Sequence, residues 1–176
     1  MELVYLIGVP GVGKSYIMQQ VMANLGGWSK QKINKTLNTY KSKKTRVLGV
    51  YEKKQMYPGT DRLAMDVVNA AEAYFLTNPD EIIIGEGDRL NNKRFYDLFE
   101  TKTIIYVKAT PETLQSRRIQ RGGSQTGTFL KRVGTKCENI RKNYGDVVRV
   151  CPNNTKADTN EIIAYILGKA KAYENA

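Results

Sequence analysis

The stretch Gly8-Val9-Pro10-Gly11-Val12-Gly13-Lys14-Ser15 constrains this chain more than any other. It fills every fixed position of G-x-x-x-x-G-K-[ST], directly after the apolar run Leu3–Ile7 and directly before a helical pattern. Strand, glycine turn and helix in that order make an anion site, because the backbone N–H groups of the turn converge and the helix adds its own free amides. The backbone of Gly8, Pro10, Gly11, Val12 and Gly13 is therefore expected to cradle phosphates. Lys14 would reach the β- and γ-phosphates, and the Ser15 hydroxyl would take one position on Mg²⁺. A nucleoside triphosphate, taken here as ATP, is the implied ligand, although such a loop reads phosphates and leaves the base of the donor open.

Periodicity extends this unit along the chain. Helix one carries Ile17, Met18, Val21, Met22 and Leu25 on one face and stops at Gly26-Gly27. Arg46–Tyr51, Glu81–Gly85, Thr103–Lys108 and Val147–Cys151 read as further strands. Helices are expected over about Asp61–Leu76, Lys93–Phe99, Thr110 to Gly122, Gly127–Tyr144 and from Thr159 onward. Alternation of this kind gives βαβ units: an α/β fold in three layers, with a mostly parallel five-stranded sheet and helices on both faces. Residues 1–176 are read as one domain with a basic insertion at about 29–46 and a small basic lid at about 117–135. Ligands of such sheets bind at the carboxyl ends of the strands, so the residues just after each strand are the candidates for the chemistry.

Two features of composition bear on chemistry. The chain has no histidine, so a proton acceptor must be a carboxylate, lysine, tyrosine or water. Its net charge is +11, which points to a polyanionic partner. Ser29–Tyr51 concentrates that charge in Lys30, Lys32, Lys35, Lys41, Lys43, Lys44 and Arg46 without one acidic residue. Interleaved with Asn, Thr and Tyr, the segment suits contact with a nucleic-acid backbone, and it suits a solvated surface loop equally well. Cys137 and Cys151 have no metal spacing and are expected to be free thiols. No apolar run is long enough to span a bilayer and the first residues do not resemble a signal peptide, so the expected location is the cytoplasm, without membrane contact. Nothing in the sequence points to a protein partner.

After the central apolar strand comes Gly85-Glu86-Gly87-Asp88-Arg89. One of the carboxylates Glu86 and Asp88 would hold Mg²⁺ through water and the other would orient or deprotonate an attacking hydroxyl; spacing does not say which. Pro58-Gly59-Thr60-Asp61-Arg62-Leu63 repeats the Asp-Arg-Leu triplet at a second strand end. Thr60 or Asp61 can cap the following helix, while Arg62 and Arg89 are available to an acceptor. Arg117 and Arg121 share a helix face and could neutralise charge on a transferring phosphoryl group, with Gly122-Gly123-Ser124 allowing a lid to move.

Taken together, Gly8–Ser15, Glu86-Gly87-Asp88-Arg89 and Thr110-Pro111-Glu112 with Arg117 and Arg121 resemble the P-loop nucleoside and nucleotide kinases. Asp88-Arg89 is similar to the Asp-Arg pair of thymidylate kinases, which helps arrange the acceptor. Leu90 replaces the aromatic or similar residue that usually follows that pair, which argues against free thymidylate. Within the group the start Leu3–Gly8, the Gly59-Thr60-Asp61-Arg62 motif and the basic balance resemble the phage 5-hydroxymethyluridine DNA kinases. That resemblance implies an ATP- and Mg²⁺-dependent kinase that phosphorylates the 5-hydroxymethyl group of a modified base in DNA, within an infected host cell. A base within a duplex would first have to be extruded. The alternatives are a free deoxynucleoside monophosphate kinase and a nucleic-acid-binding ATPase.

Overall fold

The computed structural model describes residues 1–52, 58–120, 122 and 126–176. Its strands are β1 (Glu2–Ile7), β2 (Ser29–Ile33), β3 (Leu37–Ser42), β4 (Thr45–Leu48), β5 (Ile82–Glu86), β6 (Thr101–Lys108) and β7 (Val148–Pro152). Its helices are α1 (Lys14–Leu25), α2 (Val67–Phe75), α3 (Lys93–Tyr96), α4 (Pro111–Gln120), α5 (Gly127–Asn143) and α6 (Lys156–Asn175). The strands form one sheet in the order β2-β3-β4-β5-β1-β6-β7. β4, β5, β1, β6 and β7 pair in parallel, and β2 and β3 add an antiparallel edge.

Seven strands therefore replace the expected five. The two extra ones are the basic insertion itself, whose turns carry no Asn-Gly or Asp-Gly signal. Asn34 and Lys35 supply the positive φ of one hairpin turn (46° and 60°) and Lys43 that of the next (50°). The strand expected at 46–51 is shorter and begins earlier. The helix expected over 61–76 is a short 3-10 turn at Thr60–Arg62 followed, after a break, by α2.

Alternate residues of β1 feed two separate cores, the signature of a sheet covered on both sides. Val4 and Leu6 pack with Ile17, Met18 and Val21 of α1 and Ile162, Ile166 and Ala170 of α6. Leu3, Tyr5 and Ile7 face α2, α3 and the Val133, Cys137 and Ile140 stripe of α5. Both cysteines are free and buried. A capping box at Thr155 and Asp158 starts α6 three residues before the expected Thr159. Among the described residues no helix is long and apolar enough to cross a membrane.

The topology splits the basic segment between the two ends of the sheet. β4 runs parallel to β5, so the antiparallel β3 begins at the carboxyl edge of the parallel strands. The Asn34–Thr36 turn with Lys35 thus lies on the ligand edge, whereas Lys43 and Lys44 turn at the opposite edge. Much of the charge is also locally neutralised: Lys30 pairs with Glu52, Lys41 with Glu81 and Lys43 with Glu174. Arg46 is 1% exposed and bound to Glu81, so it is structural and takes no part in a nucleic-acid track.

Candidate active site

β1 delivers the chain to the phosphate loop, where Gly8, Gly11 and Gly13 all hold positive φ (147°, 96° and 97°). Gly13 illustrates the constraint: a Cβ there would sit 2.6 Å from the Asn153 amide nitrogen. The loop's outward carbonyls are satisfied from neighbouring elements. Asn153 Nδ2 donates to Val12 O (2.6 Å), Arg117 Nη1 to Val12 O (3.3 Å) and Arg118 Nε to Pro10 O (3.3 Å). Asn153 is itself fixed by the Thr159 hydroxyl, which donates to Asn153 Oδ1 at 2.6 Å. With carbonyls turned outward and held, the loop is preorganised to present amides to an anion. Lys14 Nζ lies within the loop, donating to Gly8 O (2.8 Å) and Val9 O (3.4 Å).

Ser15 Oγ donates to Glu86 Oε1 at 2.9 Å, and Glu86 is 1% exposed at the end of β5. This geometry distinguishes the two carboxylates that spacing could not separate. Glu86 stands against the loop with the Ser15 hydroxyl, an oxygen set suited to Mg²⁺ carried on a triphosphate. Asp88 lies farther out, where Lys136 Nζ donates to its Oδ1 (2.7 Å) and to its backbone oxygen (3.1 Å). The two Asp-Arg-Leu triplets meet here, because Asp61 Oδ1 accepts from the Asp88 backbone N–H at 2.6 Å. Asp61 is thus a brace for the β5 turn rather than a helix cap. Leu90 is fully buried in the core, so its identity bears on packing and not on the acceptor.

Below the turn, the buried Tyr5 hydroxyl donates to Gly87 O (3.1 Å) and shares a hydrogen bond with Thr60 Oγ1 (2.9 Å). Burial pushes the Tyr5 phenol well above its usual range, which keeps it a donor. Gly59 has φ 90°, and a Cβ on it would fall 2.2 Å from Glu86 Oε1. Gly59→Ala is therefore expected to displace Glu86 from Ser15, at a cost of about 1–3 kcal/mol from backbone strain alone. A thermal melt with parallel ATP-binding titrations checks this: both are expected to weaken, and an unchanged ATP affinity would contradict the contact's role.

Lys14, Ser15, Asp61, Glu86, Asp88 and Lys136 line one cleft of about 1150 Å³. Single-ligand pockets run to roughly 1,000 Å³, so there is room for a triphosphate and a second molecule together. The donor wall consists of Gly11, Gly13, Lys14 and Ser15 with Arg118. The rest of the lining includes Asp61, Arg62, Met65, Asp88 and Arg89 with Phe129, Arg132 and Lys136 of α5. The Arg89 Nε is buried and has no hydrogen-bond partner among the described residues. Among those residues no group of three acidic or cysteine side chains could hold a metal by itself.

Sequence reasoning placed Lys14, Ser15, Glu86, Asp88, Asp61, Arg62 and Arg89 in what is one cleft. Arg117 instead supports the loop from behind through Gly11 O and Val12 O, and its neighbour Arg118 lines the cleft. Arg121, with Gly123 and Ser124 of the expected lid, lies outside the described residues. Phe129, Lys136 and Asn153 are not expected at the site itself from sequence, Lys136 only in a basic helix that could track DNA. The first two share with Arg132 the helical spacing of one α5 face, a signal that was available. No local pattern marks Asn153.

A family model described as P-loop Nucleotide Kinase3 matches residues 1–107. No curated protein matches the sequence. Among solved structures, a gluconokinase from Sinorhizobium meliloti 1021 aligns at 14% identity and a TM-score of 0.49, covering 99% of this chain and 91% of that one. Deoxyadenosine kinase from M. mycoides with bound dATP aligns at 14% identity and a TM-score of 0.51, covering 96% of this chain and 98% of that one. At such identity the second likeness speaks for the fold: a mostly parallel sheet between helices. The residues matched by the family model hold both the phosphate loop and the β5 turn, and the chain belongs to the P-loop Nucleotide Kinase3 family as a P-loop nucleotide kinase.

Proposed function

We propose that this kinase transfers the γ-phosphoryl group of ATP to a hydroxyl on nucleic acid, the 5-hydroxymethyl group of 5-hydroxymethyluracil in DNA. The observation that carries the reading is the acceptor wall. It sets the carboxylates of Asp88 and Asp61 among Arg62, Arg89 and Arg132, with the Phe129 ring beside Arg132. Cations that neutralise phosphates and an aromatic face that stacks a base are what an extruded nucleotide requires.

In this reading the phosphate-loop amides and Lys14 bind the triphosphate, and Ser15 and Glu86 are the residues that would hold Mg²⁺. That ion supplies charge neutralisation across the phosphate oxygens. Asp88 orients the acceptor hydroxyl and takes its proton as the new O–P bond forms. The bond from the γ-phosphorus to the bridging oxygen breaks, and ADP leaves with the electron pair. Arg118 lines the donor wall and is the described arginine best placed to offset charge on the phosphoryl group.

The test uses γ-labelled ATP with matched oligonucleotides that contain thymine or 5-hydroxymethyluracil. Label is expected on the hydroxymethylated DNA alone. A second reading, a free deoxynucleoside monophosphate kinase, is favoured by the unpartnered Arg89 Nε, a donor that a terminal phosphate could satisfy. Label recovered only in mononucleotides would support it, and free phosphate alone would indicate an ATPase.

A further inference from the structure

We infer that Lys136 is a displaceable latch on Asp88, withholding that carboxylate from water until an acceptor hydroxyl arrives. The inference rests on the proposed role of Asp88 as the group that activates the attacking oxygen. Val133, Cys137 and Ile140 fix α5 to the sheet, so the stem of Lys136 starts from an anchored helix. Its ammonium grips Asp88 twice, at the carboxylate (2.7 Å) and at the backbone oxygen (3.1 Å). Asp61 independently holds the Asp88 backbone N–H at 2.6 Å. The main chain of Asp88 is therefore braced, while its carboxylate is held by Lys136, the side-chain partner it has among the described residues.

The two ends of this ion pair differ from the buried pairs of the fold. Lys136 and Asp88 side chains are 35% and 32% exposed, so water and ligands can reach both. A pair this open is held weakly and can be exchanged for a ligand contact. An open cleft with a bound triphosphate and an unengaged carboxylate invites hydrolysis. Water would attack the γ-phosphorus, its proton would pass to Asp88, the bridging P–O bond would break, and ADP and inorganic phosphate would leave. The N–H of Lys136 engages Oδ1, one of the two carboxylate oxygens that could take that proton, and keeps its ammonium beside the other. A seated acceptor brings its own hydroxyl to Asp88 and displaces the ammonium, which makes activation conditional on the acceptor. Lys136 acts in this way as a positioning residue.

The experiment measures acceptor-free ATP hydrolysis and phosphoryl transfer to hydroxymethylated DNA on the same preparations. Lys136→Met is expected to raise acceptor-free hydrolysis about fivefold, the largest preference an exposed pair of this kind sustains. Transfer to DNA is not expected to rise with it, so more ADP is released per phosphate transferred. Lys136→Arg keeps a charged donor to the carboxylate and should return that ratio to the wild-type value. Asp88→Asn in the Lys136→Met background should abolish the rise. Hydrolysis that is unchanged or lower in Lys136→Met, or a rise that survives Asp88→Asn, overturns the latch. The hydrolysis arm needs no acceptor, so wild-type enzyme that fails to label hydroxymethylated DNA counts against the acceptor and leaves the latch tested separately.

Discussion

Lys14→Ala is expected to lower phosphoryl transfer by roughly 10³-fold or more, the scale seen when one preorganised charge or donor is removed from a transition state. The structure supplies the reason for so large a loss. Lys14 Nζ sits within the loop on Gly8 O and Val9 O, where the β- and γ-phosphates of a triphosphate would lie. Arg117, Arg118 and Asn153 bond the loop's carbonyls from outside, so the loop's shape does not depend on the ammonium. The thermal midpoint should consequently change little while kcat/KM collapses. Lys14→Ala that transfers phosphate at near wild-type rate would contradict the assignment of the loop as the catalytic phosphate site.

Arg46→Ala should have the opposite signature, a large loss of stability from a residue remote from the chemistry. Arg46 Nε and Nη2 grip Glu81 at 2.6 and 2.9 Å. Its Nη1 reaches Thr39 (2.8 Å) and Gln31 (2.9 Å), and Nη2 also reaches the Tyr74 hydroxyl (2.5 Å). Every guanidinium N–H is thereby satisfied inside the protein. Removing the arginine leaves Glu81 buried with Lys41 as its remaining cation among the described residues, a type of loss that costs about 3–5 kcal/mol. For a chain of this length that is on the order of 10 °C in Tm. Burial opposes the charge on Glu81, but the hydrogen bonds from Arg46 and Lys41 outweigh it and hold the carboxyl below the usual glutamate range. A depressed folded-state value means this contribution is present above about pH 4.5 and fades as pH falls below it. In Arg46→Ala that acid-dependent component should largely vanish. A melt of Arg46→Ala within 2–3 °C of wild type, the span of about 1 kcal/mol, would contradict the structural role.

The parts of this molecule that were legible in its sequence are those whose signal is local. The phosphate loop is a contiguous motif, and the strands at β1, β5, β6 and β7 are short apolar runs bounded by turns. The β5 turn follows from the rule that ligands collect at the carboxyl ends of parallel strands. What was illegible depends on partners far along the chain. β2 is an edge strand exposed from Ser29 to Lys32, and a polar, lysine-rich edge reads from sequence as a loop. Arg46 counted toward a basic patch because nothing near it reveals Glu81, 35 residues away. Lys136 and Asp88 are 48 apart, and Asn153 reaches Val12 across 141 residues. Arg117 and Arg118 show the finest limit: periodicity puts both on α4, but only the packed helix decides which one faces the cleft.

The central claim is that the cleft passes the γ-phosphoryl group of ATP to a hydroxyl placed at Asp88. It is tested most directly by asking which atom receives the phosphate. Oligonucleotide containing one 5-hydroxymethyluracil would be incubated with γ-labelled ATP and Mg²⁺, digested to nucleosides, and the labelled product identified by mass spectrometry. The account predicts label on the 5-methylene oxygen of the modified base, with none on thymine-containing DNA and none with Lys14→Ala. Label confined to mononucleotides, to DNA ends or to inorganic phosphate would contradict it.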